Sequence, residues 1–138
     1  MTSDDLDRLL ADPTAGGVVE LADPAAITEP LTAAGWTVRV LDHFDDRAGF
    51  YRGVAAVLDF PSYFGHNLDA LWDCLRDVPG PTALIIFWQR FADRDPRSAL
   101  RIRSVLAERA AALPPFATIF VSPESPSDNG SARRPGSN

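Results

Sequence analysis

Ala83-Leu84-Ile85-Ile86-Phe87-Trp88 is apolar at every position and does not alternate, the pattern of a strand covered on both faces. Such a strand is the spine of a small sheet and needs helices above and below it. Pro79-Gly80-Pro81 sets its start, and beyond it Asp95-Pro96 supplies an N-cap and a proline at the first helical position. A helix from there to about Leu113 would turn Ala99, Ile102, Leu106 and Leu113 inward, and Phe116-Ala117-Thr118-Ile119-Phe120-Val121 reads as the next strand.

On the N-terminal side the same alternation of elements recurs. Leu6, Leu9 and Leu10 have helical spacing and Asp12-Pro13 ends their pattern, so a short helix is expected within residues 1–15. Val18-Val19-Glu20-Leu21, after two glycines, reads as a strand at a sheet edge. Asp23-Pro24 opens a helix over residues 24–34 that Gly35 stops and that Pro30 should bend or split. Trp36-Thr37-Val38-Arg39-Val40-Leu41 alternates as a strand does, and residues 46–58 return to the helical period with Phe50, Val54, Val57 and Leu58 on one side. Strands separated by helices imply a parallel sheet. The expected architecture is α/β: one domain over residues 1–121, with three to four parallel strands and helices packed on them. Residues 122–138, rich in Ser, Pro, Gly and charge, carry nothing to bury and read as a disordered tail.

Composition narrows the function. With 138 residues and 46% hydrophobic content the chain can bury one core, and no apolar run is long enough to span a bilayer. Residues 1–5 lack the basic and apolar regions of a signal peptide, and Cys74 has no second cysteine to pair with. A cytoplasmic location, with no membrane partner, is the expectation. The net charge of −6 argues against direct nucleic-acid binding and for a basic partner. Residues 1–46 hold ten acids against Arg8 and Arg39, whereas residues 90–109 hold six arginines against Asp93, Asp95 and Glu108. Only one aromatic, Phe91, falls within that arginine run, so it reads as a solvated helix face.

Ahead of the central strand lies Pro61-Ser62-Tyr63-Phe64-Gly65-His66-Asn67-Leu68-Asp69-Ala70-Leu71-Trp72-Asp73-Cys74-Leu75-Arg76-Asp77, an aromatic loop running into a helix. Asn67 is a favoured N-cap, so the helix should start at Leu68. Leu68, Leu71, Leu75 and Val78 form its apolar stripe, while Asp69, Asp73 and Asp77 recur every four residues on the other side. Like charges so placed cost about 0.2–0.5 kcal/mol per pair, and only Asp69 is near enough to the helix N-terminus to recover some of it. Tyr63, Phe64 and Trp72 cannot all join the leucine side, and aromatic anchors beside charge are what a protein-binding hot spot needs. Trp72 fits either the core or the exposed side.

Catalytic chemistry finds less support. Ala15-Gly16-Gly17 lacks the spacing of a phosphate loop, and His66 lies on the order of 12 Å along the chain axis from Cys74, too far to serve as its base. Cys74 is read as a small core or boundary residue. His66, Asp69 and Asp73 could be taken for metal ligands, but no fourth ligand is evident and a histidine near a helix start commonly makes ordinary hydrogen bonds. No cofactor is expected, and a metal-assisted hydrolase is the third reading behind two kinds of binding protein.

Tyr63, Gly65 and the run Asn67-Leu68-Asp69-Ala70-Leu71-Trp72-Asp73-Cys74-Leu75 closely resemble the motif of the barstar family, intracellular inhibitors of barnase-like secreted ribonucleases. Trp88-Gln89-Arg90-Phe91 and Ser104-Val105-Leu106 are similar to two further segments of that family, so the resemblance spans residues 36–121 and leaves residues 1–35 as an N-terminal extension. It implies a non-enzymatic inhibitor that blocks a guanyl-specific microbial ribonuclease one-to-one, laying an acidic helix where substrate phosphate would sit. By position, Asp73 would be the central anion, with Tyr63, Gly65, Asn67 and Asp69 contacting its surroundings, and the expected partner-binding face also takes in Phe64, Trp72, Arg76 and Asp77. This sequence departs from the family at Phe64, where a tyrosine is usual, and at His66, where a glutamate is. Arg76, Asp77 and Val78 replace threonine, glycine and tryptophan, and an interface glutamate falls at Ala111, with Glu108 one turn earlier. The second reading is a binding or immunity module of the same fold for another basic protein or toxin.

Overall fold

The computed structural model describes residues 2–12, 16–23, 27–42, 44–61 and 65–122. In chain order these form α1 (Thr2–Ala11), β1 (Gly17–Leu21), α2 (Thr28–Ala34), β2 (Thr37–Leu41), α3 (Arg47–Leu58), α4 (Leu68–Arg76), β3 (Thr82–Phe87), α5 (Gln89–Arg94), α6 (Pro96–Ala110) and β4 (Phe116–Val121). The four strands make an all-parallel sheet in the order β1-β4-β3-β2. β3 and β4 take the centre, where their largely apolar character, broken by Thr82 and Thr118, is needed, and β1 lies at an edge as its short pattern suggests.

The pleat sorts the central strands into two cores. Leu84, Ile86, Phe116 and Phe120 point to one side, where Phe50 and Val54 of α3, Leu71 and Leu75 of α4, Phe91 of α5 and Ile102 and Leu106 of α6 cover them. Ala83, Ile85, Ala117, Ile119 and Val121 point to the other, against Leu9 of α1, Leu31 of α2 and Trp36. The indole N–H of Trp36 donates to the Leu9 carbonyl at 2.9 Å inside this second core. The result is an α/β sandwich with helices on both faces.

Four local expectations are corrected. α2 begins at Thr28, not at residue 24, which puts Pro30 in its first turn; N–H groups there have no intrahelical acceptor, so the proline neither bends nor splits the helix. Gly35 does stop it, at φ 111°, a left-handed conformation open to glycine. α6 ends at Ala110, and Leu113 beyond it is 76% exposed rather than inward. β3 closes at Phe87, so Trp88 is instead the N-cap residue of α5, a six-residue helix too short for hydrophobic periodicity to announce. The arginine run is not uniformly a solvated face. Arg90, Arg94, Arg97 and Arg101 are exposed, but Arg103 pairs with Glu20 and lies over the Phe120 ring, and Arg109 is completely buried. The predicted tail lies outside the described residues apart from Ser122.

Candidate partner-binding site

Asn67 starts α4 as its chemistry suggests: in extended conformation, its side-chain oxygen accepts the Ala70 N–H at 2.8 Å. Its own backbone N–H donates to the Gly65 carbonyl at 3.0 Å, and a Cβ on Gly65 would stand only 3.2 Å from the Asn67 side-chain nitrogen Nδ2. The loop thus turns tightly into the helix. Leu71 and Leu75 are then fully buried, Val78 beyond the helix end is buried too, and Leu68 packs partly against the same core.

Burial of that stripe fixes what the opposite side shows. Asp69 and Asp73 are exposed on α4, and Asp77, the exposed C-cap residue, follows them with its N–H donating to the Cys74 carbonyl at 3.1 Å. Arg76 donates to Asp73 at 3.1 Å, with the two side chains 59% and 66% exposed. A pair this wet is worth about 0–1 kcal/mol, so Asp73 is held loosely and can exchange Arg76 for a stronger cation. Trp72 is half-buried and belongs to neither core, an intermediate outcome between its two readings. The structure therefore brings Gly65, Asn67, Asp69, Trp72, Asp73, Arg76 and Asp77 into one helix and its two ends. Tyr63 and Phe64 lie outside the described residues. Glu108 and Ala111 are both exposed near the end of α6.

Other chemistry at this face is weak. Burial first, then Asp77 and Asp73, push the Cys74 thiol up, away from the reactive thiolate. The His66 ring stacks on Tyr51, with centroids 5.7 Å apart and planes 16° from parallel. Among the described residues no three His, Cys, Asp or Glu side chains are grouped to hold a metal. A cleft of about 470 Å³ opens beside Asn67 and Asp69, walled by Arg47, Tyr51, His66 and Arg101. A larger depression, about 1150 Å³, lies at the ends of β3 and β4, but two of its acids are occupied, Asp45 by Arg90 at 3.0 Å and Asp93 by Gln89 at 2.6 Å. The α4 face is the stronger candidate because protein partners are met by exposed faces carrying charge and an aromatic, not by the deepest hollow.

Arg109 is the residue that pattern reading passed over. It follows Leu106 by three positions on the buried stripe of α6, which was the signal available. Its Nε donates to the Leu75 carbonyl at 2.6 Å and one terminal nitrogen to the Val78 carbonyl at 3.1 Å; the other donates to Pro114 at 2.7 Å and Ala112 at 3.3 Å. Burial presses its pKa below the ordinary arginine value, yet a guanidinium remains charged at any physiological pH. The cation sits at the negative C-terminal end of α4, a favourable placement.

An α/β sandwich that locks one side of a short helix into its core, and turns a row of carboxylates beside a tryptophan to solvent, has the make-up of a protein-binding module. Residues 36–120, more than half of the chain, match the family described as Barstar (barnase inhibitor), and the chain belongs to the barstar family. It is also 83% identical over 30 residues to a protein of Bacillus subtilis (strain 168) named "Putative ribonuclease inhibitor YrdF". That match covers 21% of this chain and 33% of the relative, so the chain spans about a third of the relative's length. Among the described residues no helix is long and apolar enough to cross a membrane.

Proposed function

We propose that the protein inhibits a secreted guanyl-specific ribonuclease by seating α4 over its active site in a one-to-one complex, without hydrolysing RNA itself. The observation that carries this reading is the solvent-facing row Asp69, Asp73 and Asp77 on a helix whose other side is fixed by Leu71 and Leu75. Ribonucleases gather cations to bind the phosphate of RNA. Carboxylates brought against those cations out of water form charge-assisted hydrogen bonds stronger than the exposed Asp73–Arg76 pair they replace. Asp73, in the middle of the row, would enter the phosphate pocket, with Asp69 and Asp77 on either side and Asn67, Gly65 and Trp72 shaping the rim. Family membership and the name of the Bacillus subtilis relative support the choice of a ribonuclease. Arg76, a cation inside the acidic face, is the feature that favours the second reading, a different basic protein or toxin as partner.

Titration of a guanyl-specific ribonuclease with the purified protein is the test. RNA cleavage should fall linearly to zero at one equivalent, and the protein alone should leave RNA intact. Binding with cleavage undiminished, or RNA hydrolysis by the protein alone, would overturn the reading; inhibition of a non-ribonuclease toxin only would select the second.

A further inference from the structure

We propose that Arg109 is a positioning residue for the acidic helix, a buried clamp that sets where α4 ends and so where its carboxylates stand; this rests on the reading of α4 as the partner-binding element. The position lies on the buried stripe of α6 with Ala99, Ile102, Leu106 and Ala110, where an apolar side chain would suffice for packing. A buried charge is costly unless its hydrogen bonds are met, and the acceptors around Arg109 are backbone carbonyls: Leu75, Val78, Ala112 and Pro114. Among the described residues no carboxylate pairs with it. Its ring partner, Phe116, lies 5.1 Å from the guanidinium.

Those acceptors define the role. Leu75 belongs to the last turn of α4 and Val78 follows its C-cap, so both mark the end of the acidic helix. Ala112 and Pro114 belong to the link between α6 and β4. One planar fork therefore ties the C-terminal end of α4 to the link that leads into a central strand. Leu71 and Leu75 hold α4 sideways against the core, but apolar contacts are non-directional and leave sliding along the axis weakly opposed. Hydrogen bonds at fixed angles oppose it. Lysine could not substitute, because a point ammonium cannot span four acceptors arranged around a planar fork. A shift of α4 by a fraction of an ångström would misalign the carboxylates of Asp69 and Asp73 together.

Arg109→Lys, which keeps charge and stem, and Arg109→Gln, which is neutral and still a donor, test the clamp in the full chain. In the free protein, amide hydrogen exchange of Leu75, Arg76, Asp77 and Val78 should accelerate at least about 10-fold while amides of β3 and β4 keep their protection. Against a guanyl-specific ribonuclease, dissociation should speed up about 10-fold or more at unchanged salt dependence of association, since a buried charge does not steer encounter. In an Asp73→Ala background that loss should shrink. Faster exchange spread evenly over all elements, or failure of both variants to fold, would assign Arg109 to global stability and overturn the proposal, as would an unchanged dissociation rate. A wild-type protein that does not bind the ribonuclease would refute the inhibitor reading, and the exchange pattern would still decide the clamp.

Discussion

Asp73 separates a recognition face from an ordinary wet surface more sharply than any other residue. If it were only solvated, Asp73→Ala would lose the exposed Arg76 pair and relieve repulsion from Asp69 and Asp77, changing stability by under about 1 kcal/mol. If it enters a phosphate pocket, the same change strands the partner's cations, and binding should weaken by about 2–5 kcal/mol, the range general to truncated interfacial charge pairs, while melting is nearly unchanged. Asp77→Ala is the comparison: at the helix end it should alter mainly the association rate and its salt dependence. Titration calorimetry of both variants checks this, and equal, small losses would remove the phosphate-mimic mechanism. The row Asp69, Asp73 and Asp77 could be read from spacing alone, whereas the choice of Asp73 as its central anion came from the resemblance to the barstar family. For Arg109 spacing offered only a place on the buried stripe of α6, not its partners. A charge inside a cluster of arginines looks like surface until four carbonyls are seen around it, and those carbonyls come from segments some thirty residues apart.

Caps and stripes made most elements legible. Asn67 and Asp95 each precede a leucine- or alanine-rich period, and each accepts a backbone N–H three residues on, from Ala70 and Ser98. Elements whose boundaries depend on tertiary packing were less so: α5 is anchored by a single buried residue, Phe91, and α6 stops before Leu113 because the chain must turn toward β4. The cap at Asp95 carries a pH signature. Hydrogen bonds from the Ser98 side chain and backbone hold its carboxyl below the ordinary value. A depressed folded-state pKa means the contribution is present above the unfolded pKa and lost as pH falls through the folded one. Thermal melts of Asp95→Asn should therefore differ from wild type near neutral pH and converge with it in acid, below the folded pKa. Parallel melting curves with a constant offset down to that region would show that the charge of Asp95 is not what the cap uses.

At the scale of the molecule, residues 1–35 supply β1 to one edge of the sheet and α1 and α2 to one face. We propose that this extension folds as one unit with residues 36–121. Removing residues 1–35 would uncover Ile85, Ile119 and Val121, free the edge of β4 and leave the Trp36 indole without Leu9. Such a fragment should aggregate or melt without cooperativity, as light scattering and circular dichroism would show; a monomeric fragment with a sharp transition would mark residues 1–35 as dispensable. The parallel pairing has a further consequence, in time rather than in space. Gly17 pairs with Ala117, a hundred positions on, and the edge strands β1 and β2 pair only with β4 and β3, never with each other. Closing so wide a loop is entropically slow, and a fold dominated by such distant pairings belongs with those that form in milliseconds to seconds rather than microseconds. As a chain grows from its N-terminus, the first two strands wait unpaired until residues 82–121 follow, so the fold comes into being late and all at once.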